Sequence, residues 1–202
     1  MVKTIQRLLP ELCQFDLIVI DPPWRNKYIR RLKRVRQELS YQMLSNEELR
    51  NLPISQLIHK HSLVAIWCTN SSQHQTALLE EFLPEWNLQL LHVLKWLKLN
   101  INGEPISSIS NAGQKQPFEM LFIARHQEAD VDFATSIRQV EMLFSVPSII
   151  HSHKPPLYAW LGEYLQNEPK CLEIFARYLQ PSFTSIGLEV LKLMDERLYS
   201  KT

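Results

Sequence analysis

The sequence predicts an α/β protein with a mostly parallel sheet and helices on both faces. Short, continuously apolar runs such as LIVI and LVAIW suit strands that are covered on both sides. They alternate with stretches of helical character, the order that builds parallel strands joined by crossover helices. A length of 202 residues, 45% hydrophobic and 21% charged, suits one domain, 1–202, with a substantial core.

Strands are expected at 16–20, 63–68, 90–97, 118–124, 170–175 and 184–187. Helix starts are marked by local chemistry. Ser45-Asn46-Glu47-Glu48 matches a capping box, with Ser45 as N-cap and Glu48 three residues on. A second helix is expected over 72–82. A third follows Pro155-Pro156, proline being tolerated in a first turn, and runs through LYAWLGEYL. A last helix over 188–199 places Val190, Leu191, Met194 and Leu198 at helical spacing. Two segments, 26–41 and 100–116, fit no regular element. Each begins just after a strand, where α/β enzymes place working loops.

Several classes drop out. No apolar run is long enough to span a bilayer. The opening MVKTIQRLLPELCQ lacks the apolar core and cleavage site of a secretory signal. Three scattered cysteines, Cys13, Cys68 and Cys171, support neither a disulfide framework nor a thiolate metal site, so a reduced intracellular protein is the default. The histidine pairs His59/His61 and His151/His153 have no matching cysteine or carboxylate cluster, and no metal is expected. Four glycines, none in a G-x-G-x-x-G pattern, argue against a dinucleotide loop or a P-loop.

Charge is concentrated. Arg25, Lys27, Arg30, Arg31, Lys33, Arg34 and Arg36 lie within twelve residues that contain no acid. With those seven set aside, 15 basic residues face 21 acidic ones. A basic cluster on an acidic chain points to a local polyanion contact, with Tyr28 and Tyr41 available to stack on bases. A solvated loop or a localisation signal in RRLKRVR is the plainer alternative.

Asp21-Pro22-Pro23-Trp24 ends the first strand, where doubly wound sheets collect ligands. The prolines remove donors and leave carbonyl acceptors, and Trp24 offers a flat face to a planar heterocycle. An aromatic amine is a poor nucleophile because its lone pair is delocalised into the ring. A carboxylate and a carbonyl that both accept from the NH2 group favour localising that pair toward an electrophile. The tetrapeptide therefore suits methylation of an exocyclic amine. The plainer reading is an Asp capping a turn, with Trp24 in the core.

FDLIVIDPPWRNK, LVAIWCTN, KQPFEMLFIAR, SVPSIIHSHKPPL and LEIFARYLQPSFTSIGLEVLK together resemble, in order, the adenine-amino methyltransferases related to the catalytic subunit of the mRNA adenosine methyltransferase. Within them the chain is most similar to the methyltransferase-like protein 4 branch. The resemblance implies a Rossmann-like fold with permuted motif order, using S-adenosylmethionine to methylate the 6-amino group of adenine in RNA (small nuclear or messenger) or DNA. It implies a nuclear location, with the cytoplasm as a second possibility, and base access through single strands or flipping. It assigns the amine contact to Asp21 and the carbonyl of Pro22, and the base pocket to Pro23 and Trp24. Cofactor contacts fall to Asp21, Lys154, Arg177 and Glu189. Methyl transfer from a sulfonium releases a neutral group and needs no metal.

The chain departs from that branch in having Tyr178 where Asn is usual after the Arg, and Leu188 within the usual Gly-Asn-Glu. Only fourteen residues precede Phe15, so an N-terminal part truncated relative to the family is expected. These departures motivate an alternative: a catalytically weak or inactive nucleic-acid-binding partner subunit. A small-molecule amine methyltransferase is a third reading, which leaves the basic cluster unused.

Overall fold

A computed structural model describes residues 14–25, 43–108, 116–150 and 153–192, with side chains to 190. These residues form a seven-stranded sheet: β1 (Phe15–Ile20), β2 (Ile58–Cys68), β3 (Leu88–Lys98), β4 (Phe118–His126), β5 (Met142–Ser145), β6 (Cys171–Ile174) and β7 (Phe183–Ile186). Their spatial order is β5-β3-β4-β2-β1-β6-β7. Six strands run one way; β4 alone is antiparallel to both its neighbours.

β1 sits inside the sheet and every one of its residues is buried. Its alternation sorts the core. Ile18 and Ile20 pack on one face with Val64, Ile66, Leu172 and Ile174; Leu17 and Val19 pack on the other with Leu63, Ala65 and Cys171. The first face is covered by a helical stretch made of α2 (Ser72–Ala77), a wider π turn (Leu78–Phe82) and α3 (Leu83–Glu85), which buries Ala77, Leu78, Phe82 and Leu83. On the second face lie the 3₁₀ turn Thr135–Gln139, with Ile137, and α4 (Tyr158–Leu161), with Leu161. Among the described residues, no helix is long and apolar enough to cross a membrane.

The capping box forms as the sequence implies. Ser45 Oγ accepts from Glu48 N at 3.2 Å, and Ser45 N donates to Glu48 Oε2 at 2.7 Å, opening α1 (Asn46–Arg50). All six expected strands are present, most of them longer by a residue or more at one end. Strand β5 was not expected: MLFS is short, and Met142 and Phe144 face solvent on the sheet edge, so no burial signal marks it. The third helix is shorter than the expected run through LYAWLGEYL, with Leu157 as N-cap and the two prolines ahead of it, and it passes into a 3₁₀ turn at Gly162–Tyr164. The last helix, α5 (Leu188–Lys192), is described over its first turn only, and 193–199 lie outside the described residues. Segment 26–41 also lies outside them.

The reversal of β4 has a functional consequence. Parallel strands bring only their C-terminal ends to the working edge, but an antiparallel strand brings its beginning. Met120 pairs with Cys68 and Glu119 with Trp96, so Glu119 is delivered to the edge where β1, β2, β3 and β6 end.

Candidate active site

Asp21 leaves β1 at the point where its backbone N–H donates to Ile174 O of β6, at 3.3 Å. Its carboxylate is buried and held by two cations. Lys154 Nζ lies 3.1 Å from Oδ1 and 3.2 Å from Oδ2, and Arg177 Nε donates to Oδ2 at 3.2 Å. Lys154 also reaches Glu119 Oε2 at 3.1 Å, and Lys98 holds the other oxygen of Glu119. Five charged side chains from five separate chain segments thus form one network.

Its electrostatics follow from burial and pairing. Burial alone would depress the Lys154 ammonium, but Asp21 and Glu119 outweigh it and hold the pKa above the ordinary value. Burial likewise pushes the Glu119 carboxyl up, yet Lys154 and Lys98 together hold it below its usual range. Glu173, on β6, differs: burial dominates and raises its carboxyl to about 7, with Asp21 adding to the rise and Gln180 and Arg177 opposing it. Gln180 Nε2 donates to Glu173 Oε2 at 2.8 Å.

The tetrapeptide backbone is tightly bound. Trp24 N donates to Pro22 O at 2.8 Å, Leu44 N donates to Pro23 O at 3.1 Å, and Trp24 bridges to Leu44. Each carbonyl retains a second lone pair for an incoming donor. Trp24 takes a different role from the open stacking platform expected of it. The ring is buried, parallel to Phe82 at 6.0 Å, tilted over His74 at 5.0 Å, and its Nε1 donates to Trp67 O at 2.9 Å. The indole is the anchor of the motif in the core, and the plainer reading of that residue is the one the packing supports.

His74, on α2, fastens the exit from the motif. Its ring nitrogens lie 3.0 Å from Arg25 O and 3.0 Å from Asn46 Oδ1. Both nitrogens are engaged, so His74 ties the base of the loop to α1.

The structure brings Asp21, Lys154 and Arg177 into contact. Glu189 stands on the first turn of α5, after Gly187. Gly187 is required by space: a Cβ there would lie 2.1 Å from Ala176 O. Of the seven basic residues, Arg25 is exposed, and Lys27, Arg30, Arg31, Lys33, Arg34 and Arg36 lie outside the described residues. Among the described residues no three His, Cys, Asp or Glu side chains gather into a metal-holding group. Burial raises the thiols of Cys68 to about 12 and Cys171 to about 11, which leaves neither a nucleophile at neutral pH.

The family model MT-A70 matches residues 15–189. The chain belongs to the MT-A70 family. It is 37% identical over 199 residues to the Homo sapiens protein named N(6)-adenine-specific methyltransferase METTL4, covering 95% of this chain and 40% of that protein. It is 33% identical over 187 residues to a Caenorhabditis elegans DNA N6-methyl methyltransferase (93% of this chain, 48% of that protein). It is 35% identical over 191 residues to the Cryphonectria parasitica N6-methyladenosine RNA methyltransferase MTA1 (94% and 55%). The chain therefore spans about half or less of the length of these relatives.

As an MT-A70 domain, the chain carries the Asp-Pro-Pro-Trp tetrapeptide at the edge of an α/β sheet. Glu119, Glu173, Lys98 and His74 are not among the site residues expected from the sequence. Glu119 and Glu173 interrupt the apolar runs FEMLFIA and CLEIF, and a charge inside such a run is the signal the sequence carries. Nothing in the sequence distinguishes Lys98 or His74 from ordinary surface residues.

Proposed function

We propose that this chain is an S-adenosylmethionine-dependent methyltransferase acting on the 6-amino group of adenine in RNA or DNA. The observation that carries the reading is the buried Asp21 carboxylate, at the end of β1, gripped by Lys154 and Arg177.

The cofactor's amino-acid end is a zwitterion, and the residues fit it. Lys154 and Arg177 offer cations to a carboxylate, and Asp21 offers an acceptor to an ammonium. Glu189, at the start of α5, is suited to ribose hydroxyls. When bound, the cofactor supplies a methyl group on a positive sulfur. Asp21 and the Pro22 carbonyl then accept from the amine of the base, holding its lone pair in line for transfer. Alignment of donor and acceptor accounts for most of the rate in this picture. Lys154 pairs with both Asp21 and Glu119, so its charge stays neutralised whichever partner a ligand displaces.

We read the described residues as one methyltransferase domain, with nuclear action and cytoplasmic action both consistent with its chemistry. The relatives' names include both RNA and DNA enzymes, so the nucleic acid is tested directly. Labelled methyl groups are offered with matched RNA and DNA oligonucleotides, and products are analysed as nucleosides. Label in N6-methyl-2′-deoxyadenosine or N6-methyladenosine is the expected result. Asp21→Ala is expected to abolish it, and retained transfer by that variant refutes the assignment. The non-catalytic partner reading rests on Leu188, exposed where the branch has an amide; failure of the wild-type chain to bind cofactor while binding oligonucleotide would establish it.

A further inference from the structure

We propose that Tyr178 and His153 form a clasp that positions Lys154 for the methionine end of the cofactor, so that tyrosine at 178 takes over a holding role within the site. The inference rests on the reading of this site as a cofactor pocket.

Two dipeptides meet here. In His153-Lys154 and in Arg177-Tyr178, the charged members both grip Asp21. The aromatic members stack on each other, with ring centroids 4.9 Å apart and planes 29° apart. Tyr178 Oη also donates to Lys154 O at 3.0 Å. The two dipeptides come from different connections, one between β5 and α4 and the other between β6 and β7.

Lys154 needs such support because of its neighbours. Residues 153–157 form no helix or strand, and Pro155 and Pro156 have no N–H to donate. A lysine with four rotatable side-chain bonds on such a segment gains little order from its own backbone ladder. The phenol supplies from outside what the prolines cannot. Burial first, then Glu173 and Asp21, push the Tyr178 hydroxyl up to about 12, so it remains a protonated donor at neutral pH. Burial and the neighbouring Arg177 hold the His153 imidazole below its ordinary range, which favours a neutral ring against the phenol face. Tyrosine at 178 thus changes how the site is held without removing a charge from it.

The test is calorimetric and needs no turnover. Wild-type chain and Tyr178→Phe are titrated with S-adenosylmethionine and, separately, with 5′-methylthioadenosine, which lacks the amino-acid end. Phenylalanine keeps the stack and removes the hydrogen bond. The expected result is about a 5-fold weaker Kd for S-adenosylmethionine, the usual scale of one lost hydrogen bond, with the Kd for methylthioadenosine unchanged. A general structural defect would weaken both ligands, and that result overturns the clasp. Equal binding of S-adenosylmethionine by both proteins overturns it as well. If wild type binds neither ligand, the cofactor reading itself falls and the clasp with it. Should Tyr178→Phe melt early, His153→Leu carries the test: the same selective loss supports the clasp, and unaltered S-adenosylmethionine binding refutes it.

Discussion

Replacing Glu173 by Gln isolates one buried proton. The carboxyl titrates at about 7 in the folded chain, against an ordinary value of 4.5, chiefly because burial penalises its charged form. The sign is fixed by linkage. Below pH 4.5 both folded and unfolded chains hold the proton, and the stability of the neutral, buried form is fully present. Between 4.5 and about 7 the unfolded chain releases the proton while the folded chain keeps it, so stability falls as pH rises. Above about 7 the loss is complete. At about 1.4 kcal/mol per pH unit, the interval amounts to about 3 kcal/mol. Glutamine mimics the neutral acid and keeps an oxygen facing Gln180 Nε2, which donates to Oε2 at 2.8 Å in the parent. Urea unfolding of both proteins from pH 5 to 8 measures the difference, in which other titrating groups cancel. The stability of Glu173→Gln relative to the parent is expected to improve steadily with pH up to about 7 and then level off. A constant gap between the two proteins across that range would refute the reasoning and place the Glu173 proton in solvent.

Two further substitutions probe how the site is built. Gly187→Ala drives a methyl group against Ala176 O, at 2.1 Å before any adjustment. Parting the turns after β6 and β7 is expected to destabilise the chain by about 3 kcal/mol and to weaken S-adenosylmethionine binding through Arg177 and Glu189; thermal melts and calorimetry check both. Trp24→Ala empties a core position against Phe82 and His74 and removes the donor to Trp67 O. It is expected to cost about 3–5 kcal/mol as measured by denaturant midpoint, so loss of methyl transfer in that variant reports on folding before it reports on base contact.

Much of the molecule is legible in the chain. LIVI and LVAIW announce buried strands because strands covered on both faces need apolar residues at every position. Ser45 and Glu48 announce a helix start because their hydrogen bonds span only three residues. Asp21 stands out because it ends an apolar run at the strand end where doubly wound sheets collect ligands. β5 stays hidden: four residues on a sheet edge, two of them turned to solvent, carry too little periodicity to be seen. The role of Trp24 is hidden for a different reason. A large aromatic after a motif serves equally as platform or anchor, and only its burial against Phe82 and His74 decides for the anchor.

The sequence by itself determines most of the elements, the tetrapeptide and the candidate cations Lys154 and Arg177, because these depend on composition and on interactions between near neighbours. Tertiary structure alone decides the network around Asp21. Lys154 is 133 residues from its carboxylate partner in the chain and Arg177 is 156 away. Glu119 joins them only because β4 runs against its neighbours and so begins at the edge where β1 and β6 end. Strand direction is a property of the sheet, set by how the connections cross it, and no local pattern of residues encodes it.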